Sequence, residues 1–298
     1  MVGIRVGVGK VAINAVPMCT SQDIVSITGI DTDQWNKEYI SLALQYKAPI
    51  LASQAQGATI TGITSKTLKS ITIPVLALSS QNVVVSQLRG IDRQIACAKK
   101  RLEFLGILVK SRFAEMFGDA DHYEMLDQLI MDGTSISYGI VQPGSDVEGG
   151  IGVLRPVDFQ AGRVEHGNIK TIDPEISGKY SRTVLTGNEL LVVVRGATGD
   201  VALSDASLKG MNVTRGIAVV RYDRNKIIPE FLVGYLKSDE AQRYIAEHTQ
   251  GSALKQINMA DLRVQPIKVP SLDLQQEFAA FAAEVDKSRF VVRNKSQL

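Results

Sequence analysis

The sequence predicts an α+β protein with two related lobes, the first incomplete, separated by long antiparallel coiled-coil helices. Three observations predict this class. A pattern of glycine, glutamine and aliphatic residues recurs after about 194 residues, and a long amphipathic stretch follows each copy. Short Val- and Ile-rich runs bounded by Gly, Asp and Asn alternate with helical segments, which is typical of strands in a mixed domain.

The repeat is clearest where QGATITGITSKTL (56–68) aligns with QGSALKQINMADL (250–262), since Gln, Gly, Ile and Leu recur at four places. Its order is kept while the spacing drifts only from about 190 to 196 residues, which favours a tandem duplication over chance. The other aligned pairs are GIRVGVGKVAI (3–13) with VVRGATGDVAL (193–203), KEYISLAL (37–44) with PEFLVGYL (229–236), IPVLALSS (73–80) with VPSLDLQQ (269–276), and GIDRQIA (90–96) with EVDKSRF (284–290).

The two copies are unequal in extent. Residues 124–190 precede the second copy and have no counterpart before the first. A half-built lobe would expose strand edges and core. The hypothesis at this stage is a truncated or split gene whose first lobe is completed by another chain. A misplaced start or a cloned fragment is the alternative.

A long helix is predicted over residues 88–117, about 45 Å in length, because apolar residues recur at alternating spacings of three and four, as in a coiled-coil seam. The stretch 275–295 carries a matching seam, so the two helices are expected to pair antiparallel. The alternative is that each helix packs on the core of its own lobe. The predicted seam residues are Leu88, Ile91, Ile95, Leu102, Leu105 and Val109 in the first helix, and Phe278, Phe281, Val285 and Val292 in the second.

Together these patterns predict four parts. Residues 1–80 are the C-terminal portion of a first lobe, and residues 81–120 are a central spacer helix. Residues 121–275 are the second, complete lobe, and residues 276–298 are a shortened C-terminal helix.

Composition excludes several function classes. The 33 Lys and Arg against 31 acidic residues give a net charge of +2, too mild to indicate nucleic acid without local clustering. Cys19 and Cys97 stand in no metal or redox spacing and suit a reducing cytosol, so a cytoplasmic protein is expected. No apolar run approaches the roughly 20 residues of a membrane span. The Gly-rich N-terminus with Arg5 and Lys10 argues against a signal peptide.

Catalytic and metal-binding patterns are missing as well. His122, His166 and His248 lie far apart without a second ligand at metal spacing. GVGK (7–10) resembles a phosphate loop, but Val11 stands where Ser or Thr is needed, so a glycine-bearing hairpin turn is expected. No GxSxG elbow occurs. The sequence therefore predicts a protein that is not an enzyme; a nuclease remains the least supported alternative.

The long basic helix IDRQIACAKKRLEFLGILVKSRFAEMFGD (91–119) resembles the central helix of the specificity (S) subunits of type I restriction–modification systems. The second copy, ending in TQGSALKQINMADLRVQPIKVPSLDLQQEF (249–278), is similar to their target-recognition domain. The closing phrase of the family resembles IPxPPxxxQ, whereas this chain has Val269-Pro270-Ser271-Leu272 and lacks the second proline. The resemblance covers nearly the whole chain.

This resemblance implies a non-catalytic scaffold. In the family, each target-recognition domain reads half of a split DNA site, and the two helices hold the domains apart. Modification subunits that methylate adenine, and a restriction subunit, dock on the scaffold. No cofactor is expected in the chain itself, since S-adenosylmethionine, Mg and ATP belong to the partner subunits. A second specificity chain or a homodimer is a further partner expectation, and an assembly fragment that reads DNA poorly is the alternative function.

Candidate DNA readers are polar residues at loop positions that differ between the copies while Gly, Leu, Ile and Pro recur. Side chains with paired donors and acceptors suit base edges, and Lys and Arg suit phosphates. Plain surface charge is the alternative for each, and a structural role rivals DNA contact for Arg195, which Arg5 repeats. The candidates are Arg155, Arg182, Arg195, Asn212, Arg215, Lys255, Gln256 and Asn258 in the second copy, and Gln22, Gln56, Thr59 and Lys66 in the first.

Overall fold

A computed structural model describes residues 1–5, 7–57, 61–160, 162–252 and 254–296. The chain divides into two compact units, Met1–Lys99 and Lys100–Leu298. The four-part division expected from the sequence stays a prediction. Helices and strands mix in both units, and long helices run at Leu78–Phe117 and Leu272–Ser296.

The first unit packs a small sheet against short helices. Side-chain caps start two of them: the Asn36 side chain accepts from the amides of Glu38 and Tyr39, and Thr64 accepts from Thr67. Its buried core is small, centred on Val2 and Leu51. The elements are β1 (Val2–Gly3), β2 (Ile24–Val25), α1 (Lys37–Tyr46), α2 (Ala48–Ser53) and α3 (Ser65–Lys69).

Helix α4 runs from Leu78 to Phe117 and crosses from the first unit into the second. It starts ten residues before the predicted position, because LSSQNVVVSQ (78–87) is also helical. At its end the buried Lys268 donates from Nζ to the carbonyls of Phe117 (3.1 Å) and Gly118 (3.0 Å). A cation at the carbonyls of the last turn stabilises a helix C-terminus.

The second unit holds the larger sheets. A four-stranded antiparallel sheet has the order β10-β9-β12-β4, and a three-stranded sheet has the order β11-β5-β8 with β11 parallel to β5. Its strands are β3 (Tyr123–Met125), β4 (Ser137–Tyr138), β5 (Ile151–Leu154), β6 (Phe159–Gln160), β7 (Arg163–Val164), β8 (Lys170–Ile172), β9 (Leu190–Val193), β10 (Val201–Leu203), β11 (Asn212–Val213), β12 (Ile217–Val220), β13 (Thr249–Gln250), β14 (Gln256–Ile257) and β15 (Pro266–Lys268). Its helices besides α4 are α5 (Pro174–Gly178), α6 (Pro229–Leu236), α7 (Asp239–Glu247), α8 (Met259–Arg263) and α9 (Leu272–Ser296).

Strand β9 is buried on both faces, which explains its unbroken apolar run. Leu190 and Val192 face the main core, and Leu191 and Val193 face a second cluster. Two consecutive helices, α6 and α7, follow between Pro229 and Glu247. Ser238 separates them, because its hydroxyl accepts from the amide of Ala241 and starts a new helix.

Within the second unit, α4 and α9 pack antiparallel, as predicted. Phe113 meets Phe278 edge to face with ring centroids 5.2 Å apart, and Arg112 pairs with Glu277 at 2.9 Å. Further along, the place of a Cβ on Gly106 lies 3.2 Å from Arg289 Nη2. Gly106 therefore lies where α4 and the Arg289 side chain of α9 approach each other closely.

Burial along the predicted seam is uneven. Phe278 and Val285 are buried, and Leu102, Leu105, Val109, Phe281 and Val292 are half-buried. Leu88, Ile91 and Ile95 remain 39%, 52% and 37% exposed, so the chain by itself does not bury them, and their role as seam or partner-contact residues stays a prediction. Periodicity identifies an apolar face of a helix, but not what covers it.

Candidate nucleic-acid interface

The tandem repeat is visible in individual hydrogen bonds of the first hairpin of each copy. In the second copy the Val193 amide donates to Asp200 (2.8 Å) and the Gly199 amide to Val193 (2.9 Å). In the first copy Gly3 donates to Lys10 (2.9 Å) and Gly9 to Gly3 (3.0 Å). GVGK and GATGD are therefore the same hairpin turn, as the sequence predicted.

Glycine is required at one place in both turns. Gly9 and Gly199 have φ of 80° and 95°, which strains any residue with a Cβ. A Cβ on Gly9 would also lie 2.8 Å from Ala48 Cβ, and one on Gly199 would lie 2.9 Å from Gln242 Oε1. In each copy the turn thus packs directly on the same following helix, α2 or α7.

A second loop docks on this turn identically in the two copies. The Ile257 amide donates to the Val194 carbonyl (3.0 Å), and the Ile63 amide donates to Ile4 (2.7 Å). A third loop joins through Val194 N to Gly216 O (2.8 Å), matched by Ile4 N to Asp23 O (2.9 Å). We call this three-loop arrangement the loop platform. Its described residues are 193–201, 214–217, 249–252 and 254–258 in the second copy, and 3–5, 7–11, 21–24, 55–57 and 61–63 in the first.

The platform of the second copy brings together five of the eight predicted readers, which are far apart in sequence. Arg195 follows Val194 and forms an isolated antiparallel β-bridge with Gln256 through the backbone. The Gly196 amide donates to the Lys255 carbonyl at 2.8 Å. Arg195 is half-buried and the other four are exposed. The five are Arg195, Arg215, Lys255, Gln256 and Asn258.

Two of these side chains are not used for local structure. Asn258 precedes α8 but makes no side-chain capping hydrogen bond. The Nε of Arg195 is buried and has no hydrogen-bond partner among the described residues. Buried donors without partners are rare in proteins, so each needs an explanation.

In the first copy the predicted readers are placed comparably. Gln22 is the counterpart of Arg215, one residue before Asp23, and Gln56 pairs with Gly62 across its hairpin. Both are exposed, as is Lys66 in α3. Thr59 lies outside the described residues.

Two other predicted readers are held inside the second unit. Asn212 is fully buried; its Oδ1 accepts from Thr183 Oγ1 (2.7 Å) and its Nδ2 donates to Ser177 Oγ (3.1 Å). A buried amide with both ends satisfied cannot read a base edge, so we correct that prediction to a structural role. The sequence could not show this, because both partners lie about 30 residues away.

Arg155 is also committed to the fold. Its Nε and Nη2 donate to Asp158 at 3.2 and 2.8 Å, and Nη2 also donates to the Asn168 carbonyl. Hydrogen bonding to Asp158 raises the pKa of Arg155. This arginine therefore orders the 155–158 turn, contrary to its prediction as a reader. Arg182 is exposed, and its role stays a prediction.

Sequence reasoning missed residues whose importance depends on the platform geometry. A cleft of about 380 Å³ lies between the turn and the second loop. Arg5 was not a candidate reader, although its counterpart Arg195 was. The structure shows that Arg5 forms an ion pair with Asp23 at 3.5 Å. The polar residues lining the cleft are Thr198, Asp200, Gln242, Thr249 and Lys255.

Two features are absent from the residues that the structure describes. No three His, Cys, Asp or Glu side chains converge there as a metal site. None of the helices is long and apolar enough to cross a membrane.

Comparison with known proteins decides the family. A sequence model of the family named type I restriction modification DNA specificity domain matches residues 1–105 and 146–296, most of the chain. The chain belongs to this family. It is a type I restriction–modification specificity protein, as the resemblance in its sequence implied.

Individual relatives agree. The EcoBI type I restriction enzyme specificity subunit of Escherichia coli is 25% identical over 308 residues, covering 91% of this chain and 64% of that protein. The chain thus spans less than two thirds of that relative's length. The solved S subunit of a type I system from M. genitalium covers 99% of this chain and 78% of its own, with 14% identity and a TM-score of 0.57.

A second solved structure has the same fold. Its description concerns the complex assembly and conformational transition of the type I R-M system. It covers 90% of this chain and 67% of its own, at 16% identity and a TM-score of 0.53. At these identities the likeness concerns the fold of the specificity family alone.

Proposed function

We propose that this chain is a non-catalytic DNA-recognition protein that reads a bipartite site, one half with each loop platform. The observation that carries the proposal is the repeated platform itself. Its backbone hydrogen bonds match between the copies, while its exposed polar side chains differ. A scaffold that is kept while its contact residues change suits two recognition events of the same kind on different sequences.

The chemistry of the changed residues supports reading of base edges. Arg215 is replaced by Gln22 in the first copy, Lys255 by Thr61, and Gln256 by Gly62. Arg and Lys pair with guanine acceptors, and Gln pairs with adenine in the major groove. Each substitution therefore changes which base the platform favours.

We propose further that α4 and α9 set the distance between the half-sites and bind the partner subunits. Forty residues of α4 span about 60 Å at 1.5 Å per residue. Its exposed Leu88, Ile91 and Ile95 form an apolar stripe at helical spacing. Modification subunits would supply adenine methylation with S-adenosylmethionine, and a restriction subunit would supply ATP- and Mg-dependent cleavage.

Methylome sequencing tests this function. Cells expressing the chain with its modification subunit should show one bipartite adenine-methylated motif. Replacing Lys255 and Gln256 by the first-copy residues, as Lys255→Thr with Gln256→Gly, should alter one half of the motif and leave the other half unchanged. Methyl transfer by the purified chain alone, or a motif that is not bipartite, would contradict the proposal.

The exposed stripe of α4 also favours a second candidate function, a protein-assembly module that binds modification subunits, or a second specificity chain, and reads DNA poorly. Salt dependence separates the two. A DNA reader loses affinity steeply as salt rises, since each neutralised phosphate contributes a slope of about −0.9 in log K against log[salt]. An assembly module would bind duplex DNA weakly and without sequence preference.

A further inference from the structure

The repeated arginine of the two platforms has different surroundings in each copy. Arg5 and Arg195 occupy the same place, since each follows the residue whose carbonyl accepts from Ile63 or Ile257. Arg5 Nη1 lies 3.5 Å from Asp23 Oδ1, so its charge is neutralised within the protein. Among the described residues of the second unit, no carboxylate forms an ion pair with Arg195.

The difference arises at the position of Asp23, the partner of Arg5, and at its counterpart in the neighbouring loop of the second copy. Asp23 and Gly216 are counterparts, because their carbonyls accept from the amides of Ile4 and Val194. A Cβ on Gly216 would lie 2.6 Å from Pro156 Cγ and 3.0 Å from its Cδ. Pro156 belongs to the region without a counterpart in the first copy, so packing there excludes a carboxylate that could neutralise Arg195.

A second position, Gly62 in the first copy and Gln256 in the second, also gives the two arginines different surroundings. Gly62 leaves room for the arginine of the first copy, since a Cβ there would lie 2.9 Å from Arg5 Cγ. Its counterpart is Gln256, whose side chain begins at that place. Arg195 therefore cannot lie across the hairpin as Arg5 does. Its Nε is buried with no partner in the described residues, which is costly unless a ligand supplies an acceptor.

We propose that Arg195 is a DNA-binding residue specific to the second platform, whereas Arg5 serves the fold of the first. The inference rests on the proposed function and assigns this residue its ligand chemistry. A guanidinium donates in a planar fork and fits paired acceptors. Phosphate oxygens and the O6 and N7 atoms of guanine share that chemistry. The two platforms are thus unequal: one contacts DNA through its repeated arginine, and the other does not.

Binding of the full chain to a random-sequence 30-base-pair duplex, measured by fluorescence anisotropy over a salt series, tests this inequality. If Arg195 contacts a phosphate, Arg195→Gln should reduce the steepness of log K against log[salt] by about 0.9. The matched Arg5→Gln should leave the slope and the Kd at each salt concentration as in the wild type. Thermal melts of both variants check that each is folded.

A pool of random duplexes, selected by binding and sequenced, distinguishes the two sources of the acceptors. If Arg195 reads guanine, Arg195→Gln keeps the slope but removes one guanine from the enriched motif. Arg195→Lys should restore the slope in the phosphate case and fail to restore the guanine, since lysine lacks the fork. Either pattern supports the assignment.

Asp23→Asn provides a gain of function at a half-buried position. Removing the carboxylate frees Arg5, so the salt dependence should become steeper and binding tighter. The gain should vanish in the Arg5→Gln/Asp23→Asn double variant; a gain that persists there would be a general charge effect and would count against the inference.

The inference is overturned if Arg195→Gln matches the wild type in both slope and motif, or if Arg5→Gln changes them as much. Wild-type protein that shows no salt-dependent DNA binding would remove the proposed function as well. Wild-type binding with a silent Arg195→Gln would remove only the assignment of Arg195.

Discussion

The two copies share the same hydrogen bonds but differ in the packing of their apolar cores. The first copy comprises residues 1–80 and the start of α4, and the second comprises residues 190–275 and the start of α9. Gln81 and Gln275 are both fully buried, and their Oε1 atoms accept from Asn36 N and Ile228 N at 2.8 Å. Their Nε2 atoms donate to the carbonyls of Leu76 and Pro270, again at 2.8 Å. Groups with directional hydrogen bonds have thus been kept in both copies.

The apolar filling follows a different rule. Phe278 packs among Phe113, Phe117 and Phe231 in the second unit, and Gly234 leaves room for its ring. In the first copy Val84 stands at the place of Phe278, and Leu42 at that of Gly234. Large and small residues have exchanged places. Cores accept such exchanges when total volume is kept, whereas a hydrogen bond cannot be relocated.

The largest expected effect concerns the two buried glutamines. Gln275→Leu and Gln81→Leu should each destabilise their unit by about 3 kcal/mol, because buried backbone groups lose their partners. The single tryptophan, Trp35, lies in the first unit and reports its unfolding by fluorescence, while circular dichroism follows both units. If only one of the two variants is destabilised, Gln81 and Gln275 do not have the same structural role in the two copies.

A smaller effect is expected at a buried carboxylate of the second unit. Burial alone would raise the pKa of Glu189, but hydrogen bonds from Ser204, Thr186 and Asn188 lower it below the ordinary value. Glu189→Gln should cost about 2 kcal/mol at neutral pH, since the amide would present donors to donors. Among the described residues, the first unit has no buried carboxylate.

The sign of the pH effect follows from the lowered pKa. The contribution of ionised Glu189 is fully present above the ordinary glutamate pKa of about 4.3 and is lost as the pH falls through its folded-state pKa. Acid should therefore destabilise the second unit before the first. Urea melts between pH 7 and 3 should show this difference narrowing in Glu189→Gln; an unchanged difference would assign it to other groups.

An intermediate test exchanges the packing of the copies. Gly234→Ala should cost about 1–2 kcal/mol, because its Cβ would lie 2.6 Å from Phe278 Cε1. Phe278→Val, the first-copy residue, should be destabilising alone and should relieve the clash in the double variant. A favourable coupling of about 1 kcal/mol in the double-mutant cycle is expected. Strict additivity would mean that the exchange of volumes is coincidental.

The smallest effect is expected for the Arg5–Asp23 pair, whose side chains are 49% and 34% exposed. Asp23→Asn should change the stability of the first unit by less than about 1 kcal/mol, as for surface ion pairs generally. The Trp35 melt measures it. A larger loss would make Asp23 a folding residue and would weaken its use in the DNA-binding test.

Several predictions from the sequence were accurate because they rest on local patterns. The glycine-bearing hairpin turn at 7–10 and its counterpart at 196–200 follow from the repeat. One alignment was wrong: IPVLALSS (73–80) had been paired with VPSLDLQQ (269–276) on their prolines. The hydrogen bonds instead equate Gln81 with Gln275, two residues away, and the starts of α4 at Leu78 and α9 at Leu272 agree with that register.

The sequence alone determined the duplication, the long helices and the absence of catalytic motifs, because repeats and helical periodicity are properties of neighbouring residues. Only the tertiary structure decided which polar side chains face outward. Asn212 and Arg155 form hydrogen bonds inside the fold, and Arg5 pairs with Asp23. In the second copy the place of Asp23 is taken by Gly216, where Pro156 leaves no room for a side chain. These outcomes depend on atoms brought together from distant parts of the chain, and a hydrogen bond or an ion pair forms only over such short distances.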